Sequence, residues 1–122
     1  MSKIKIKTLL SQNNKILISE NYNGIKTDNL IKYNENEIKN IFDIENKILK
    51  RINKEYEIII DFKNKTGKYL YNNFEIPIKV KVLKQYINDF EIYIKYKLYL
   101  DTEDLGIFIY KINYEVKLWS KK

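Results

Sequence analysis

The sequence predicts an all-β protein: a closed, up-and-down antiparallel β-barrel of eight to ten strands, in one domain covering 1–122. Three observations lead there. The first is the stretch from Phe90 to Leu118, where Phe90, Ile92, Ile94, Tyr96, Leu98 and Leu100 alternate with Glu91, Tyr93, Lys95, Lys97 and Tyr99. After the acidic turn Asp101 to Gly106 the same parity resumes with Phe108, Tyr110, Ile112, Tyr114, Val116 and Leu118. Side chains two apart share a face of a strand, so this reads as an antiparallel hairpin with one wet face. The second is that shorter alternating runs recur along the chain between tight polar turns, with no linker composition and no long-period repeat. The third is that the chain has 3 glycines and 1 proline, too few for long open loops. Short connections favour a meander that closes on itself and so removes its exposed edges.

Taken in order, residues 3–10 alternate through Ile4, Ile6 and Leu10 and stop at the polar turn Ser11-Gln12-Asn13-Asn14. The triplet Ile16-Leu17-Ile18 begins a second strand, in which Gly24 marks a bend or bulge. Thr27-Asp28-Asn29 turns the chain into Leu30 to Tyr33, and the cluster Asn34 to Glu37 ends that strand. Residues 38–56 read two ways: Ile38, Ile41, Phe42, Ile48, Leu49, Ile52 and Tyr56 fit an amphipathic helix, while the even set and Glu45-Asn46-Lys47 fit a hairpin. Tyr56 to Phe62 alternates again. The tract 63–68 is a hairpin loop with a glycine near its end, and Tyr69-Leu70-Tyr71 begins the return. Past Asn72-Asn73, Ile76, Ile78, Val80 and Val82 alternate around Pro77, whose missing N–H suits an edge, a bulge or a strand start.

Composition excludes a good deal. A chain of 122 residues buries roughly two-thirds of its unfolded surface, enough for one core. With 0 cysteines and 0 histidines there are no disulfides, thiolate or imidazole metal ligands, cysteine nucleophiles or imidazole bases. No cofactor is expected and no enzyme is announced. The N-terminal alternation of lysine with isoleucine is not a signal peptide, and no run is long enough for a membrane helix, so a soluble cytoplasmic protein without membrane contact is expected. The net charge of +7 raises nucleic acid as a partner. The plainer reading is solvated outer faces, because the lysines alternate with core positions and only one basic residue, Arg51, carries the planar fork suited to phosphate.

Several short pieces, in this order, carry a family likeness: Lys3-Ile4-Lys5-Ile6-Lys7-Thr8, Tyr33-Asn34-Glu35, Ile48-Leu49-Lys50-Arg51, Tyr69-Leu70-Tyr71, and Tyr96 to Leu100 followed by Leu105-Gly106-Ile107-Phe108. Through them the chain resembles the YwiB-like family of small bacterial calycin-type, lipocalin-like β-barrels of unknown function. The resemblance implies that 38–56 forms two strands, with Arg51 on the strand that carries the family's arginine. Two departures stand out. Asn53 replaces a glycine, and Asn72-Asn73-Phe74-Glu75 replaces a Thr-Pro-aromatic-Gly turn, where Glu75 would adopt positive φ only at a cost.

The candidate ligand-binding residues are Tyr33, Glu35, Arg51, Tyr71, Tyr96, Tyr110 and Tyr114. Arg51 pointing inward could hold a carboxylate or phosphate beside Glu35 and Tyr33. The structural alternative is an ion pair closing one barrel end. Inward tyrosines could line a cavity for a small amphipathic ligand, or simply fill a small barrel. Outward Tyr93 and Tyr99, interleaved with Lys95 and Lys97, resemble a stacking platform for single strands, and cross-strand packing explains them equally. Asp101, Glu103 and Asp104 lack the calcium-loop spacing and Thr66-Gly67-Lys68 lacks a phosphate loop's remaining residues, so no metal site is expected. Asn64-Lys65-Thr66 is a glycosylation sequon, idle without a secretory signal. The expected function is a small amphipathic or anionic ligand held inside the barrel. The alternatives are polyanion or nucleic-acid binding on the lysine-rich exterior, or a protein-interaction module.

Overall fold

The structure is a computed structural model that describes residues 2–117, so the expected inward position of Leu118 lies outside the described residues. It is all-β. The strands are β1 (Ser2–Gln12), β2 (Lys15–Lys26), β3 (Leu30–Glu35), β4 (Ile38–Asp43), β5 (Ile48–Ile52), β6 (Tyr56–Asp61), β7 (Thr66–Tyr71), β8 (Phe74–Ile87), β9 (Glu91–Leu100) and β10 (Glu103–Val116). Each pairs antiparallel with its sequence neighbour, and β10 returns to β1 to close the barrel. The stretch 38–56 is thus two strands and not a helix. No helix in the described chain is long and apolar enough to cross a membrane.

The interior follows from period-two alternation. Ile4 and Ile6 of β1, Ile31 and Tyr33 of β3, Phe42, Leu49, Ile60, Ile78 and Val80, then Ile92, Ile94, Tyr96 and Leu98 of β9 and Tyr110, Ile112 and Tyr114 of β10 are all buried. Phe90, expected to begin the inward row, instead lies in the turn before β9 and is 57% exposed. There Asn88 Oδ1 accepts from the backbone N–H groups of Phe90 and Glu91, turning the chain before the ladder starts.

Three single-residue bulges keep inward and outward parity in step with a closed, twisted wall. The extra residues are Leu17, between the pairs Leu10↔Ile18 and Ser11↔Ile16, Leu83 in β8 and Leu105 in β10. After Leu83 the inward positions of β8 pass from even to odd numbers, which the sequence pattern alone did not separate. The hairpin tips are chemically consistent. Asn13-Asn14 and Asn72-Asn73 each make a two-residue loop with positive φ at both positions, which asparagine tolerates best after glycine. Glu75 lies within β8 and needs no positive φ, while Asn53 caps a turn by accepting from Glu55 and Tyr56 N–H groups. Pro77 stands one residue before β8 starts to pair with β9, where no ladder N–H is called for. Gly67 lies within β7, so the preceding loop ends at Lys65.

The narrowest pairing in the wall lies between β2 and β3. β2 meets β3 through three residue pairs, Gly24↔Tyr33, Ile25↔Lys32 and Lys26↔Ile31, and residues 15–23 of β2 pair only with β1. Gly24 is the close-approach point and carries no bulge: a Cβ there would stand 2.7 Å from the Lys32 carbonyl oxygen. Gly24→Ala should therefore cost about 1–3 kcal/mol by forcing β2 from β3. Urea unfolding at neutral pH measures this, and a loss below about 0.5 kcal/mol would show that the seam accommodates a methyl group.

Candidate functional site

Directly beneath the seam, three consecutive strands aim polar side chains inward. Tyr33 is the register partner of Asn40, and Asn40 is the partner of Arg51, so the three lie in one row across β3, β4 and β5, with Glu35 two residues beyond Tyr33. Arg51 Nη2 donates to both Glu35 carboxylate oxygens at 3.0 Å, and its Nε donates to Asn40 Oδ1 at 3.1 Å. Asn40 Nδ2 in turn donates to Glu35 Oε1 at 3.1 Å, closing a triangle. The Glu35 and Arg51 side chains are 9% and 17% exposed. A pair this dry needs its hydrogen bonds satisfied to offset desolvation. Among the described residues no buried side-chain nitrogen or oxygen lacks a partner.

Next to the triangle the Tyr33 and Tyr110 hydroxyls share a hydrogen bond of 3.0 Å across the barrel. Tyr33 also stacks on Tyr22, Tyr110 packs against Phe42, and Tyr96 sits between Phe62 and Phe108. Burial pushes the Tyr33 phenol up to about 12, against a smaller lowering by its bond to Tyr110. Burial likewise raises Tyr96 and Tyr110, while the nearby Arg51 charge pulls the other way.

The structure thus brings Tyr33, Glu35, Arg51, Tyr96 and Tyr110 into one region of the interior. It does not bring Tyr71 or Tyr114 there. Tyr71 is 42% exposed on the rim and stacks on Tyr69. Tyr114 lies against Phe90, and its hydroxyl donates to the Asp89 carbonyl in the β8–β9 turn. Asn40 is the member that sequence reasoning missed. Its signal was available: a polar residue at the inward parity between Ile38 and Phe42 demands a buried partner. The cavity between Thr8, Leu10, Tyr33, Glu35, Arg51 and Tyr110 measures about 10 Å³, room for one water. A small-molecule pocket usually needs roughly 300–1,000 Å³. Arg51 therefore holds a carboxylate of its own chain, the structural alternative weighed for it.

The opposite wall carries a different arrangement. On the outer face of β8 and β9 the directly opposed residues are Lys79↔Tyr99, Lys81↔Lys97, Lys84↔Lys95 and Tyr86↔Tyr93. Tyr86 and Tyr93 stack at 5.4 Å with rings 10° apart. Lys97 Nζ reaches Asp104 at 3.0 Å and lies 5.6 Å from the Tyr99 ring centre. The hydrogen bond with Asp104 holds the Lys97 ammonium above its usual range. The acidic turn is thereby accounted for: Asp104 also accepts from the Gly106 N–H, so its carboxylate serves the bulge and the lysine. Lys111 contacts Glu91 at 3.7 Å, and Tyr86 donates to the same carboxylate.

No protein-family model matches the chain, and no curated protein does. Among solved structures it is similar to the ywiB protein from Bacillus subtilis, at 8% identity and a TM-score of 0.42 over 95% of this chain and 91% of that one.

Two outcomes test the interior. Arg51→Ala should destabilise the barrel by about 3 kcal/mol, and Arg51→Met with Glu35→Leu should recover most of that, measured by urea unfolding of both variants. A double variant as unstable as Arg51→Ala would mean that the triangle does more than neutralise itself. The second concerns pH. A phenol whose folded pKa, about 12, lies above its reference value of 10.0 adds stability that is complete below the unfolded value and lost as pH rises through the folded one. Unfolding free energy should therefore fall between pH 10 and 12, and the fall should be shallower in Tyr33→Phe.

Proposed function

We propose that the protein is a non-enzymatic binder of single-stranded nucleic acid, engaging its backbone and bases on the outer face of β8 and β9. The observation that carries this is the pair of directly opposed lysines, Lys81↔Lys97 and Lys84↔Lys95, running into the stacked Tyr86–Tyr93 pair. Like charges directly opposite each other destabilise a sheet, and a bound polyanion relieves them. Tyr86, exposed, and half-buried Tyr93 beside the cations would add base stacking of about 1–3 kcal/mol per base, which tolerates any sequence. Lysine in place of arginine suits this task, since point charges track a flexible phosphate backbone without bidentate readout.

This reading moves the partner from the barrel interior, where the ligand-sized space is lacking beside Arg51, to its exterior. The calycin-type classification belongs to the same proposal and is supported by the up-and-down meander alone.

Fluorescence anisotropy with a labelled oligothymidylate is the test. If about four lysines each neutralise a phosphate, affinity should fall about fifty-fold between about 50 and 200 mM salt. Lys95→Glu with Lys97→Glu should abolish binding. Tyr86→Ala with Tyr93→Ala should weaken oligothymidylate but leave inorganic polyphosphate binding unchanged. Absence of binding at the lower salt, or a Lys95/Lys97 charge reversal without effect, would sink the proposal.

A further inference from the structure

We propose that the outer depression over the β2–β3 seam is a second, independent site, for a small amphiphile with one anionic head group and a short apolar body. The depression measures about 580 Å³, within the range of small-molecule sites. Its floor and rim follow from register. Across the outer face Lys3 faces Ile25, Ile25 faces Lys32, and Lys32 faces Ile41, so lysine and isoleucine alternate from strand to strand over β1 to β4. Ile25 is 39% exposed although flanked by lysines on both sides.

Four of the lining residues are lysines (Lys3, Lys32, Lys39 and Lys117), two are asparagines, and none is a carboxylate. An isoleucine floor under a cationic rim is complementary to an apolar chain ending in phosphate or carboxylate. In this site Lys32 and Lys39 would meet the head group, and the body would lie along Ile25 and Ile41. Asn23, whose Oδ1 accepts from Lys117 Nζ at 2.6 Å, fixes one wall. Bare polyanions gain nothing from the isoleucines, and neutral amphiphiles gain nothing from the lysines. The depression lies where β2 and β3 pair through only three residue pairs.

The test is isothermal titration calorimetry at low salt with octyl phosphate below its micellar concentration, inorganic phosphate and octyl glucoside. Octyl phosphate should bind one-to-one and at least tenfold more tightly than inorganic phosphate, with no measurable heat from octyl glucoside. Lys32→Glu with Lys39→Glu should weaken octyl phosphate at least tenfold, Lys32→Arg with Lys39→Arg should retain it, and Lys95→Glu with Lys97→Glu should leave it unchanged. Circular dichroism confirms the fold of each variant. Equal affinity for octyl phosphate and inorganic phosphate, or an unaltered affinity after charge reversal at Lys32 and Lys39, overturns the proposal. So does an equal loss on reversing Lys95 and Lys97, and that result would leave the nucleic-acid reading standing.

Discussion

A barrel stays closed only if its weakest pairing holds, and here that pairing is the three-pair contact between β2 and β3 at Gly24 to Lys26. Beyond Gly24 the wall ladder stops, and β3 would be tied to the rest of the sheet through β4 alone. The interior supplies what the wall lacks. Glu35, at the end of β3, is held through Asn40 and Arg51 to β4 and β5, and Tyr33 reaches across to Tyr110 of β10. The two kinds of bond share the load: backbone pairing at the tight end, where a glycine allows approach, and side-chain bonding at the wide end. This also explains why charge is tolerated in so dry a place. A buried ion pair seldom adds stability over apolar packing, but it fixes which groups meet, here across β3, β4 and β5.

Beside Arg51 the interior side chains leave about 10 Å³. Tyr96 is wedged between Phe62 and Phe108 and Phe42 lies against Tyr110, so the tyrosines that could have lined a cavity fill it. Small barrels are commonly filled by their own side chains. The chemistry left for recognition lies on the outside, where the longer strands β1, β2, β8, β9 and β10, of 10 to 14 residues, provide broad faces. The short strands β3 to β7, of 5 or 6 residues, provide mainly wall.

Much of this was legible in the alternation of residues, because period two dictates a strand's inward face whatever its neighbours. Ile92 to Leu98 and Tyr110 to Tyr114 are buried as that rule requires. The ambiguity over 38–56 was also soluble from local chemistry. Asp43-Ile44-Glu45-Asn46-Lys47 and Asp61-Phe62-Lys63-Asn64-Lys65 share the pattern Asp-x-x-Asn-Lys. In both, the aspartate accepts from the backbone and side chain of the asparagine three residues on, and the lysine takes positive φ. Two copies of one turn signature announce two hairpins. Turn bonding even leaves its mark on Asp43, whose carboxyl is held below its usual range chiefly by the Asn46 N–H. What alternation could not disclose was register. Phe90 has inward parity but falls in a turn, a bulge at Leu83 moves the parity of β8, Tyr114 shares the inward row of β10 with Tyr110 yet meets the β8–β9 turn, and Tyr71 is exposed at the end of β7. Arg51 and Glu35 could be suspected as partners from rarity of type. Their link through Asn40 depends on which residues of β4 and β5 stand opposite, and nothing along the chain states that.

Register also separates two explanations for the lysines that composition leaves joined. A chain enriched in lysine and isoleucine by coding bias alone would scatter both over its outer faces without regard to cross-strand neighbours. Instead Lys3, Ile25, Lys32, Ile41, Lys50, Ile59 and Lys68 stand in succession across β1 to β7, each lysine opposite an isoleucine. In that setting a lysine's methylene stem covers its neighbour and the charge stays in water. On β8 and β9 the same residue type stands opposite itself twice in a row, at roughly 0.2–1 kcal/mol of repulsion for each pair. Asp104 answers one of those four charges. Beyond the β2–β3 depression, from Lys50 to Lys68, the first arrangement is what solvation of a barrel wall asks for. The second costs stability in the free protein, and the polyanion proposed for this face would relieve that cost.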